Sequence, residues 1–272
     1  MFRFFALCML LVPAIGCQLN RSFVALSPSQ IIGSEHSRQG VAALERGDLA
    51  KAEKRLEDAV KSSKNDINYR RDYAEALWQQ GKHQESLQQL NEAVKRGGQS
   101  HASLHISLAE KYLAIREYPM AYRHADEAVR LASRDYRSWA LRGRAKRLQA
   151  THQAAYNEHA TTMLHQARED YLQAVSLSPD DRDLLSELAT VQMCCGQPEQ
   201  ALATWLSVQS LYPQGSEPVE VLIGKTETLA ILRRFDEAEM CLVTLRQRKL
   251  ENSESEQRLQ NIMTAVQSNV RR

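Results

Sequence analysis

Apolar and small residues recur along this chain at helical spacing, most clearly from Asp183 to Pro213. Leu188 and Ala189 precede Gly196, Ala201 follows it by five residues, Trp205 comes four later and Pro213 closes the unit. Such a run predicts a helix, a turn at the glycine, a second helix and a stop at the proline. The pattern repeats. Gly40, Gly47, Ala52, Leu56 and Ala59 mark one unit, and Ala74 and Gly81 stand 34 residues after Gly40 and Gly47, followed by Ser86, Leu90 and Ala93. Leu108, Ala109, Tyr112, Tyr118, Ala121 and Ala128 mark a third unit, with Arg116 at the turn. Trp139, Gly143, Ala167, Tyr171, Ala174 and Pro179 mark a fourth. Leu229, Phe235, Ala238 and Leu242 mark a weaker last one, where Thr226 and Arg233 hold the small and turn positions.

In spacing and residue type these units resemble the tetratricopeptide repeat of about 34 residues. The resemblance covers about residues 33–252 and implies an all-α fold, a right-handed α-solenoid of about six helical hairpins. They are expected at 33–66, 67–100, 102–135, 136–181, 182–215 and 219–252. Close packing explains the small residues. Gly40, Ala74, Ala109, Gly143 and Ala189 on the first helices let the second approach, and Ala52, Ala121, Ala167 and Ala201 receive it. One hairpin cannot bury its apolar face alone, so neighbours stack. Leu259, Ile262, Met263, Val266 and Val270 form a last helical stripe, and 253–272 is expected to cap the open end.

The fourth unit departs from the ruler. Gly143 precedes Ala167 by 24 residues, whereas Ala74–Ser86, Ala109–Ala121 and Ala189–Ala201 are each 12 apart. The added residues, around Gln149 to Met163, hold no Gly or Pro, and Tyr156, Ala160, Met163 and Leu164 continue a helical stripe. Two longer helices projecting beyond their neighbours are expected, with a loop as the alternative.

Composition agrees with helix: Gly (11) and Pro (7) are sparse, and Ala, Leu, Gln, Glu, Lys and Arg dominate. A net charge of +2 gives no global argument for nucleic acid or for a membrane surface, and no nucleic-acid partner is expected. The first residues read differently. Arg3 and the apolar run Phe4–Ile15 suit a signal peptide over 1–16 and are too short to span a bilayer. Ala14-Ile15-Gly16-Cys17 resembles a bacterial lipobox, with Ala14 where Leu is usual. The resemblance implies lipidation at Cys17 and a polar tether over 17–32. Gln18 in place of Asp implies the periplasmic face of the outer membrane. An ordinary secretory signal is the alternative. Cys194, Cys195 and Cys241 read as buried thiols, with a bridge from the adjacent pair to Cys241 as the other possibility.

Candidate chemistry is thin. Gly224-Lys225-Thr226 lacks the earlier glycine of a phosphate-binding loop, Val219 standing there. His101 and His105 lie four apart, but Ala102 replaces the glutamate of a zinc-protease helix. No catalytic residue, metal or cofactor is predicted, and the chain is not expected to be an enzyme. A groove is the better target. The resemblance implies that the second, fifth, ninth and twelfth residues of each repeat line a concave face, which singles out Arg71, Trp78, Leu113, Arg137, Arg144 and Arg147. Arginine forks suit carboxylates, so acidic peptide segments, with Trp78 and Leu113 as apolar contacts, are the expected ligands. The alternative is a solvated basic face offset by neighbouring acids. Glu75 stands where a carboxylate-clamp repeat has Asn, so chaperone tails are not expected. A lipid-anchored scaffold for other envelope proteins is the leading expectation. A regulatory or substrate-binding subunit of a wall- or polysaccharide-synthesis complex is the alternative.

Overall fold

The computed structural model describes residues 27–152, 158–248 and 253–270. The apolar N-terminal run, Cys17 and Tyr156 lie outside them. Thirteen α-helices are present among the described residues. They pair as α1 (Pro28–Glu45) with α2 (Leu49–Ser62), α3 (Ile67–Gln79) with α4 (His83–Lys95), and α5 (Ala102–Ala114) with α6 (Tyr118–Leu131). Next come α7 (Tyr136–His152) with α8 (Glu158–Leu177), α9 (Arg182–Cys194) with α10 (Pro198–Ser210), and α11 (Val219–Ile231) with α12 (Phe235–Arg246). Helix α13 (Ser253–Val270) follows, and each hairpin stacks on the next. The architecture is an all-α solenoid.

Helix starts follow from acids and serine. Asp66 accepts from the amides of Asn68 and Tyr69, Asp135 from that of Arg137, and Asp181 from that of Leu184, so three first helices open on an aspartate cap. The tether expected over 17–32 ends sooner than residue 32, because α1 already begins at Pro28. The Ser27 hydroxyl accepts from the Gln30 amide, the Gln30 side chain accepts from the Ser27 amide, and Pro28 has no N–H to leave unpaired. Ser27-Pro28-Ser29 is a helix start rather than a break.

The turns share one geometry. Gly47, Gly81 and Gly196 have positive φ, and in each case the glycine and the next residue return their amides to the closing turn of the helix. The hydrogen bonds Arg116 N→Leu113 O and Glu117 N→Tyr112 O repeat this pattern, as do Arg233 N→Ala230 O and Arg234 N→Leu229 O. Arg116 (φ 63) and Arg233 (φ 57) are therefore held in the left-handed region without being glycine.

Small residues set the helix spacing. Ala52, Ala74, Ala109, Ala121, Ala167, Ala189 and Ala201 are all fully buried. A Cβ on Gly40 would stand 2.5 Å from Leu56, and one on Gly143 would stand 3.1 Å from the Tyr171 ring. Ser86, at a small position, donates to the Ala74 carbonyl at 2.6 Å across its hairpin. Gly224, far from being a phosphate loop, lies inside α11 with the Trp205 ring against it; a Cβ there would meet the ring at 2.4 Å.

Helices α7 and α8 have 17 and 20 residues, against 13 and 14 in α5 and α6. Their added length has a core of its own, Ala150, Ala160, Met163 and Leu164, with Cys194 and Cys195 packed on it. Those two thiols are thereby kept from Cys241, which packs in the last hairpin's core; all three are free, so the bridge to Cys241 does not form. Leu259, Ile262 and Val266 of α13 are buried in that same last core.

Replacing Arg116 or Arg233 with Gly relieves a strained backbone on an exposed turn. Each change is expected to raise the unfolding free energy by roughly 0.5–1 kcal/mol. Chemical denaturation checks it; a loss of stability would contradict the turn geometry.

Candidate peptide groove

The first helices of the third to sixth hairpins place one face side by side. Glu110, Tyr136, Arg137, Ala140, Arg144 and Glu187 border one cavity of about 160 Å³. Arg144, Arg147, Asp183, Ser186, Thr190 and Glu220 border the next, of about 420 Å³. Met193, Ala230, Ile231 and Ile262 border a third, of about 360 Å³, with Trp205 and Gly224. Thr190, Trp205 and Arg258 line both of the last two cavities, so these form one continuous groove.

The arginines of the fourth hairpin do not face this groove as free charges. Arg144 and Arg147 each reach Glu187 at 2.7 Å, and the Tyr171 hydroxyl donates to the same carboxylate at 3.0 Å. Burial alone pushes the Glu187 carboxyl up; Arg147 and Arg144 outweigh it and hold the group below the ordinary carboxylate range. Arg137 closes on Asp135 at 2.8 Å. Arg142 and Lys146 both bind Asp170, a nearly fully buried acid, at 2.7 and 2.8 Å, and Arg142 also reaches Asp126. Of the six basic side chains from Arg134 to Arg147, five are thus matched by acids on their own or adjoining helices. The surplus positive charge behind the acidic-peptide expectation is largely neutralised within the fold.

The remaining predicted residues stand apart from Arg144. Arg71 pairs with Asp72 at 3.0 Å. Trp78 lies 4.2 Å from the His83 ring, with Lys111 Nζ 4.7 Å above it and bonded to Glu75 at 2.8 Å. Leu113 packs beside the core of Ala109, Ala125 and Leu141. The structure therefore brings Arg137, Arg144 and Arg147 to one stretch of groove and leaves Arg71, Trp78 and Leu113 outside its cavities. The residues missing from that set are Thr190, Met193, Glu227 and Ala230, with Glu187 beneath the arginines. Four of these five were within reach of the repeat register, since Thr190, Met193, Glu227 and Ala230 are ninth and twelfth residues of the last two repeats.

His101 and His105 do not converge. His101 is exposed, while His105 is buried and meets His124, with the two Nδ1 atoms 3.2 Å apart. Burial, then the neighbouring His105, brings His124 down to about 4. The Gln99 carbonyl can only accept, so His105 Nε2 carries its proton and its Nδ1 accepts from His124. Among the described residues no cluster of three or more His, Cys, Asp or Glu is placed to hold a metal ion.

Glu187→Ala would strip the acceptor from two guanidinium groups and a buried hydroxyl, and is expected to lower stability by about 3 kcal/mol. Arg144, with 45% of its side chain exposed, should lose less than about 1 kcal/mol on change to Ala. Equal effects in urea melts would contradict this arrangement.

Comparison with known proteins places the geometry. Residues 43–109 match the tetratricopeptide repeat family. No curated protein sequence matches the chain. The fold is similar to that of PilW, described as a widely conserved type IV pilus biogenesis factor, with a TM-score of 0.70 at 14% identity over 85% of this chain and 98% of that one. It is also similar to PilF of Pseudomonas aeruginosa, with a TM-score of 0.68 at 14% identity over the same shares. YrrB, described as a TPR protein with an unusual peptide-binding site, gives 0.57 at 15% identity over 80% of this chain and 98% of that one. At such identities the likeness is one of fold. The chain thus carries a tetratricopeptide-repeat match in its first half and, across the described residues, has the fold of a tetratricopeptide-repeat solenoid.

Proposed function

We propose that this chain is a lipid-anchored docking scaffold of a bacterial cell envelope, holding partner proteins in its groove and supporting assembly of an envelope complex. The observation that carries the reading is the groove itself, lined by side chains at equivalent positions of successive hairpins. Such a surface suits an extended segment of another protein. The likeness to PilW, a pilus biogenesis factor, supports an assembly role. The sequence before Cys17 supports the anchor, with acyl chains holding the scaffold at the periplasmic face of the outer membrane.

A photo-crosslinking residue at Thr190 or Met193, in the native host, is expected to trap a defined partner that the same residue at exposed Glu239 does not trap. Equal trapping at both places would count against groove docking. If the trapped partner is a wall- or polysaccharide-synthesis enzyme, the regulatory-subunit reading replaces assembly. In parallel, fatty-acid labelling is expected to vanish in Cys17→Ser; label that persists would remove the anchor.

A further inference from the structure

The groove changes character along its length. Around Arg144 and Arg147 its walls are ionic. At its last third, where α9, α11 and α13 meet, Met193, Ala230, Ile231 and Ile262 stand over the Trp205 ring, with Thr190, Glu227, Arg258 and Asn261 beside them. Ile231 is 61% exposed at the end of α11. Two residues before the turn, the first two hairpins carry Glu45 and Gln79 at the matching place. The third and fifth hairpins carry Ala114 and Cys194 there, so Ile231 is the large aliphatic side chain of the set, and it continues an apolar patch with Met193, Ala230 and Ile262.

We infer that this pocket seats an aliphatic side chain of a peptide segment in a partner protein, and that the partner's specificity is apolar rather than acidic. The inference rests on the docking reading above and sharpens it. Several features favour this occupant. The cations at the rim are paired: Arg258 binds Glu227 through Nε and Nη2, as Arg144 and Arg147 bind Glu187. An acidic ligand group would have to displace a carboxylate already in place. The cavity, about 360 Å³, has room for a branched side chain and its neighbours. It runs into the adjoining cavity through Thr190 and Trp205, so an occupant that fills both is a chain and not a compact molecule.

The capping helix is part of this site. Ile262 supplies one wall, and α13 is held beside α11 by the Arg258–Glu227 pair and by the Ser255 hydroxyl on Glu220. The helix that closes the core therefore also completes the pocket.

A display library of random dodecapeptides, panned on the full chain, tests the inference. Wild type is expected to enrich sequences sharing an aliphatic position. An enriched peptide should bind at least tenfold more weakly to Ile231→Glu, and tenfold more weakly when its aliphatic residue becomes Asp. Its affinity should change less than threefold between about 50 and about 500 mM NaCl, because the two charged residues of the apolar pocket, Glu227 and Arg258, are paired with each other. Ile231 is exposed, so the variant is expected to melt with the wild type, which a thermal scan verifies. Enrichment of acidic peptides, or binding indifferent to Ile231→Glu, would overturn the apolar pocket while leaving groove docking standing. No enrichment at all would remove both.

Discussion

Helices in this chain come together only as closely as the side chain at the contact permits. Where that side chain is a hydrogen, the contact is closest. Leu56 lies over Gly40, Tyr171 over Gly143 and Trp205 over Gly224, each filling space that a Cβ would occupy. Alanines do the same with one carbon more, and they are fully buried wherever hairpins close. The first two contacts set the spacing of the paired helices within a hairpin, and Trp205 on Gly224 sets how the sixth hairpin approaches the fifth, so together they set which side chains of successive first helices share one face. The groove is a consequence of that stacking. Its apolar end depends on it most directly, since Trp205 forms a wall there and its ring rests on Gly224.

Charge plays a different part. The fourth hairpin concentrates arginine and lysine, and the fold uses nearly all of it internally. Asp170 gathers Arg142 and Lys146, and Glu187 gathers Arg144 and Arg147. Where such pairs are buried, as at Asp170, they contribute little net stability against an apolar alternative, yet removal of the shared acid is severe. They tie α7 to α8 and α9 in one register. They leave the middle of the groove polar, with its arginines already paired.

Much of the fold was legible because close packing leaves a periodic trace: Gly40, Ala74, Ala109, Gly143 and Ala189 recur with their partners at helical-hairpin spacing. Even the odd turns could be located, since Arg116 and Arg233 occupy places where Gly stands elsewhere, though not that both would accept positive φ. The start of α1 was misjudged although its signal was present, because Ser27-Pro28 suggests a break until Gln30 is read as its reciprocal cap. The electrostatics were not legible locally. Asp170 and Glu187 lie 28 and 40 residues beyond Arg142 and Arg147, and only the stack brings them together. The apolar pocket was hidden for the same reason, since it needs Trp205, Ile231 and Ile262 from three different helices.

The dependence of the stack on small residues is tested most directly by the unfolding free energy of Gly224→Ala beside Gly143→Ala. Helix propensity alone favours Ala by about 1 kcal/mol inside a helix. A packing limit reverses the sign. Gly224→Ala is expected to lose about 1–3 kcal/mol because a Cβ would press on a rigid indole, and Gly143→Ala to lose less because its nearest contacts are at 3.1 Å. If both variants instead gain stability, close helix approach is not what holds this solenoid together.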